Sequence, residues 1–171
     1  MVMRTKEAIG NSNQVLGFFA RCKELQELHA GKRSMLDNYG QILAQTPKGQ
    51  LRTLKGVTRS EYIRRMSGQA DSSDALRRAE ARVKELVPGY QSYENLGVLE
   101  ADANGLYAGT LTTMVDHLGK PRQVVGIIGM TLVKELSVSI NLYQTYTTTP
   151  EIRGLLSLQK SAMAAFVRVN N

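Results

Sequence analysis

The chain has no tryptophan, three phenylalanines and a single cysteine among its 171 residues. One cysteine cannot close an intramolecular disulfide, so this is not a disulfide-stapled secreted domain, and zinc clusters built from several cysteines are excluded. Histidine is scarce too. His29 and His117 stand alone, and neither has the i,i+4 partner of a metalloprotease helix. Long apolar runs are missing: the longest, "VVGIIGMTLV" at Val124–Val133, has about half the ~20 residues that a bilayer-spanning helix needs. The first residues, "MVMRTKEAIGNSNQ", lack the apolar core of a signal peptide. These absences lead to the expectation of a soluble, cytoplasmic protein with no metal, no cofactor and no membrane span. Leucine, valine and isoleucine recur at regular spacing throughout, which argues against intrinsic disorder.

What is present in excess is positive charge, and it is unevenly placed. Residues 1–90 hold 16 Lys/Arg and 9 Asp/Glu, a net +7, whereas residues 91–171 hold 6 of each, a net of zero. The whole of the +7 therefore lies in the first half. Asymmetry of this kind points to nucleic acid or another anionic surface.

The apolar spacing predicts helix almost everywhere. Val15, Phe18, Phe19, Cys22, Leu25 and Leu28 mark a helix from Ser12 to Ala30, and a second runs from Ser34 to Gln45, ended by Thr46-Pro47. "TRSE" at Thr58–Glu61 is a capping-box pattern that starts another. The loop "SGQADSSD" supplies the next N-cap, ahead of a helix that Pro88-Gly89 closes. Long helices are expected from Gln91 to Leu118 and from Pro121 to about Tyr146, and a last amphipathic one after Thr149-Pro150. "LSVSINLYQTY" alternates for a few residues, but it continues a helical pattern and is read as helix. The expected fold is all-α: a basic region of helix-turn-helix-like pieces over residues 1–90, and a C-terminal helical bundle over residues 91–171 that packs subunits.

Catalytic chemistry finds no support in the residue pattern. Cys22 lies on an apolar stripe and reads as a core residue. Glu100 and Asp102 would face different sides of a helix. Gly126 and Gly129 have no Lys-Ser/Thr at phosphate-loop spacing. The chain is therefore not expected to be an enzyme.

The stretch "LRTLKGVTRSEYIRRM" resembles the helix-turn-helix signature of repressors, with a turn glycine, Gly56, and Arg59, Ser60 and Tyr62 opening the second helix. It departs from that signature at Arg52 and Lys55, where the motif wants a small and an apolar residue. Burying either charge unpaired would cost several kcal/mol. The same residues make better sense as a phosphate-contacting surface. In one continuous helix, Lys48, Arg52, Lys55 and Arg59 would share a stripe, with Arg64, Arg65, Arg77, Arg78, Arg82 and Lys84 following on the next two helices. Such contacts position a protein on a duplex without reading its sequence.

A Gly-Lys-Pro break at Gly119–Pro121, an apolar helix, and then "NLYQTYTTTPEIRGLL" resemble the C-terminal pattern of the major coat proteins of filamentous and rod-shaped archaeal viruses. The charge layout agrees with that resemblance. The chain is longer than typical members of that family, and residues 59–90 have no counterpart in it. The resemblance implies a virion protein that packages double-stranded DNA in the A-form, with a second copy or a paralogous coat subunit as its partner in a helical filament. The alternatives are a sequence-specific helix-turn-helix regulator and a helical interaction component of a secretion or tail apparatus.

Overall fold

A computed structural model describes residues 3–5, 12–19, 26–27, 30, 39–47, 54–70, 72–87, 89–115 and 119–170. The all-α expectation is overturned. The chain forms a seven-stranded antiparallel sheet flanked by helices, a mixed α and β fold. Strands β1 (Met3–Thr5), β2 (Ser12–Phe19) and β3 (Tyr39–Pro47) come first. Helices α1 (Arg59–Ala70) and α2 (Ser73–Leu86) follow. Strands β4 (Tyr90–Ala101), β5 (Leu106–Val115), β6 (Pro121–Val133) and β7 (Leu136–Thr145) form a meander, and helix α3 (Thr149–Asn170) ends the chain. The spatial order is β1-β2-β3-β7-β6-β5-β4, so strands from both halves of the sequence share one sheet.

The expected helices over 91–118 and 121–146 are thus the four strands of the meander. The physical reason is clearest in β6. It is a central strand, hydrogen-bonded to β5 on one side and β7 on the other, with helices over both faces. A strand buried on both faces reads as an unbroken apolar run rather than an alternating one. Its residues nevertheless divide by face: Val125 and Ile127 join the α3 side, while Met130 and Leu132 join the α1 side. In β7 the alternation is plain, with Val138, Ile140 and Leu142 buried under α3 and Ser137, Ser139 and Asn141 on the other face. The chain turns from β6 into β7 through Lys134 and Glu135, both with positive φ (47° and 66°), the geometry of a tight two-residue hairpin turn.

Two apolar clusters hold the layers together. On one face, Leu155, Gln159, Met163 and Val167 of α3 repeat every fourth residue and press onto Tyr107, Val125, Ile127 and Ile140. Each large apolar side chain buried there contributes about 1.5–3 kcal/mol. On the opposite face, Tyr62 and Ile63 of α1 pack on Leu106 and Leu132, with Met66, Val98 and Met130 around them. β4 is an edge strand, and its pairing with β5 is interrupted at Tyr90/Ser92, Asn95/Gly97 and Val98/Glu100. Such irregularities discourage another chain from adding to that edge.

Candidate functional site

Helix α1 begins where the sequence says it should. Thr58 donates from its backbone N–H and from Oγ1 to Glu61 Oε2, both at 2.9 Å, and the Glu61 N–H returns a bond to Thr58 Oγ1 at 3.3 Å. This is the reciprocal capping box. The same bonds, the backbone N–H of Thr58 foremost, hold the Glu61 carboxyl below its ordinary range. Just before it the chain reverses at Gly56 (φ +74°), whose N–H points at Glu135 Oε1 in the β6–β7 turn, 3.4 Å away.

The reversal breaks the expected stripe. Lys55 is exposed in the turn, while Arg59 opens α1 on the far side of Gly56, so the two do not lie on one continuous helix. Lys48 and Arg52 lie outside the described residues, as do Cys22, His29 and His117. Arg59 is turned inward, its Nε donating to the Leu132 carbonyl at 3.0 Å. Tyr62 follows it inward and shares a 2.6 Å hydrogen bond with Ser137 Oγ. Burial pushes the Tyr62 phenol up, more than that bond lowers it. Two of the three residues that a helix-turn-helix reading assigns to base edges therefore anchor α1 to the sheet.

Arg64 and Arg65 are exposed, at angular positions opposite Tyr62 and Ile63 on the helix. The only acid within α1, Glu61, is engaged in the cap. On α2, Ser72 caps by accepting from the Ala75 N–H at 3.3 Å. Arg77, Arg78 and Lys84 are exposed on that helix; Arg77 pairs with Asp74, and Glu80 accepts from the Tyr90 hydroxyl at 2.9 Å. The side chain of Arg82 lies outside the described set. Of the ten cationic residues expected to contact phosphate, five are exposed on α1, α2 or the turn before α1 with no carboxylate bonded to them among the described residues: Lys55, Arg64, Arg65, Arg78 and Lys84.

Beneath this helical layer lies a cavity of about 480 Å³, bounded by the second half of α1, the first half of α2, and strands β4 to β6. Met66, Leu76, Ile128 and Met130 give it apolar walls. Asn95, Thr110 and Tyr93 line it from the sheet, and Arg78 from α2. Nothing in the sequence pattern announced this space, because it is made by small residues that read as ordinary helix and strand positions.

Glu100 and Asp102 do not face apart on a helix; both reach Lys160 of α3 at the β4–β5 hairpin, with Asp102 Oδ2 at 3.8 Å. Asp102 also accepts from the N–H groups of Asn104 (2.8 Å) and Gly105 (3.1 Å), and from the hydroxyl of the fully buried Tyr107 (3.2 Å). It therefore locks the turn and joins it to α3. Burial raises the Tyr107 phenol well above its ordinary value near 10, and the Asp102 carboxylate adds to the rise. The hydrogen bond to Glu100 raises Lys160. Both groups keep their protons in the folded chain at pH values where the unfolded chain releases them, so folding stability holds up to about pH 10 and falls above it. Tyr107→Phe is expected to cost about 1 kcal/mol at pH 7 and to flatten the alkaline decline. Urea unfolding at pH 7 and at pH 11 measures both effects; an unchanged decline in the variant would assign it elsewhere.

Among the described residues, no group of three or more His, Cys, Asp or Glu side chains could hold a metal ion, and no helix is long and apolar enough to cross a membrane. No protein-family model, no curated protein and no solved structure matches this chain.

Proposed function

We propose that this chain binds the phosphate backbone of double-stranded DNA through the outward side of α1 and α2, without reading sequence and without catalysing a reaction. One observation carries the reading: α1 is fixed to the sheet by its buried side and turns Arg64 and Arg65 outward, while its one acid is tied up in the helix cap. Arg78 and Lys84 extend the same layer along α2, and Lys55 precedes it. The guanidinium group suits the task, since it stays charged and offers paired donors to phosphate oxygens. Inward-turned Arg59 and Tyr62 favour backbone contact over base readout.

The filament implied by the coat-protein resemblance needs an apolar surface for subunit packing. The C-terminal residues meant to supply it form strands β4 to β7 and helix α3, whose apolar side chains pack against one another, and the large hydrophobic residues exposed among the described ones are Leu158 and Val169. The proposal therefore concerns the single subunit and its contact with the duplex.

Salt dependence tests it. Binding to random-sequence duplex DNA is expected to weaken steeply with salt, at a slope of about 0.9 per phosphate contact. Replacing both Arg64 and Arg65 with Gln should lower that slope by roughly two contacts' worth. Arg59→Gln should lower the melting temperature and leave the slope in place. A slope unmoved by the double substitution, or one duplex sequence preferred by about a thousandfold, would overturn the reading.

A further inference from the structure

The cavity under α1 and α2 is the feature that phosphate binding does not use. It is a half-open cleft of about 480 Å³, with the exposed Gln69, Ser72 and Arg78 at its mouth. The space exists because small side chains meet across it. Ala70 of α1, Ala75 and Ala79 of α2 and Ala108 of β5 all line it, and Ala75 and Ala79 stand one helical turn apart on the same side of α2. Leucine at any one of these positions would take up part of the gap. The volume falls within the range of about 300–1,000 Å³ typical of small-molecule sites.

The lining also specifies chemistry. Leu76 and Ile128 are aliphatic, and Met66 and Met130 are flexible thioethers that adapt to a chain of varied shape. Among the described residues that line the cavity, Arg78 is the one with a formal charge; it is exposed and has no described carboxylate bonded to it. Asn95 and Thr110 offer an amide and a hydroxyl on the sheet side. An apolar body with one negative end matches this set; a cation would meet Arg78, and a polyanion would strand charge against the methionines.

From this lining we infer that the chain binds a medium-length aliphatic monocarboxylate, its hydrocarbon body between the α1–α2 layer and the sheet and its carboxylate paired with Arg78. The site is separate from the phosphate-binding reading, with which it shares Arg78 alone.

Decanoate, decanol and decylamine are the probes, titrated below micelle formation onto the full chain with ¹³C-labelled methionine methyl groups. Decanoate should shift the Met66 and Met130 signals, and leave that of Met163, on the buried side of α3, in place. Decanol should bind about fivefold more weakly, or less tightly still, and decylamine more weakly than either. Arg78→Gln should weaken decanoate about fivefold, the equivalent of one exposed ion pair of ~1 kcal/mol, and leave decanol unchanged. Ala79→Leu, with Ala75→Leu as its companion should the first not fold, should weaken both decanoate and decanol at least tenfold while sparing the salt slope on DNA. Shifts confined to other methionines, equal binding of decanoate and decanol, or decanoate affinity unaltered in the filled variants would each overturn the inference. Because Ala79→Leu leaves Arg64 and Arg65 untouched, loss of ligand with an intact slope and loss of slope with intact ligand binding are distinct results.

Discussion

Gly129→Ala is expected to destabilise the fold by about 1–3 kcal/mol, although alanine is favoured over glycine in a strand interior by about 0.5–1 kcal/mol. Gly129 is a buried residue of β6 directly beneath α3. A Cβ there would overlap the amide nitrogen of Gln159 and come within 2.9 Å of Met163 Cε and 3.2 Å of the Ile140 carbonyl oxygen. Gln159 is fully buried, and its Nε2 donates to that same carbonyl. The missing side chain at 129 is what lets the amide reach across. Alanine would push Gln159 and Met163 together off the sheet, and both belong to the every-fourth-residue stripe that docks α3. Chemical denaturation measures the loss. Gln159→Ala in the same background should restore part of it, because it removes the clashing atom and an amide oxygen that has no partner among the described residues. The two substitutions should therefore be non-additive by about 1–3 kcal/mol. An alanine variant as stable as the parent would mean that α3 does not sit as described.

The sequence was legible where local chemistry decides structure and illegible where tertiary pairing does. Thr58 and Glu61 form the capping box that "TRSE" announces, Ser72 caps α2 from the loop expected to do so, and α3 starts at Thr149-Pro150. Each of these signals works within four residues. The strands depend on partners far away in the chain. Val124–Val133 of β6 lies within the helix expected from Pro121 to about Tyr146, yet Val124, Val125, Ile127, Ile128, Thr131 and Val133 are β-branched, a composition that suits a central strand better. The turn that should have separated β6 from β7 is Lys134-Glu135, which occupies positive φ without the Asn or Gly that announces such turns. By contrast, Asn104-Gly105 is a hairpin signal between β4 and β5, but Leu99, Ala103 and Leu106 around it also fit the 3–4 spacing of the helix expected from Gln91 to Leu118.

The candidate site divides in the same way. Which residues carry charge is written in the sequence, so Arg64, Arg65, Arg78 and Lys84 could be named before any fold was known. Which way they point is not. Arg59 has the same side chain as Arg64 but is drawn to the Leu132 carbonyl, because α1 enters along the end of β6. The cavity is harder still to anticipate. Alanines at 70, 75, 79 and 108 are individually unremarkable, and only the crossing of α1 and α2 over β4–β6 brings them to one place.

Tyr62→Ala should show how far the whole surface depends on one buried contact. Tyr62 is 6% exposed, packs with Ile63, Leu106 and Leu132, and shares its hydroxyl with Ser137 on β7. Truncating a buried aromatic residue costs about 3–5 kcal/mol. Here it would also strip Ser137 of its partner across the layer. Tyr62→Phe isolates that second part and should cost only about 1 kcal/mol. The α3 face of the sheet keeps its own cluster, which contains neither Tyr62 nor Ile63. Hydrogen exchange in Tyr62→Ala should therefore accelerate first in α1, while β6, β7 and α3 keep their protection. Arg64 and Arg65 remain in the chain but lose their fixed orientation, so DNA affinity should fall even though the formal charge is unchanged. If affinity holds while α1 opens, charge alone is sufficient and the ordered helix contributes nothing to the contact. If α1 and α3 lose protection together, the two faces of the sheet fold as one unit, and every substitution in the upper layer must be judged by its effect on global stability before its effect on binding.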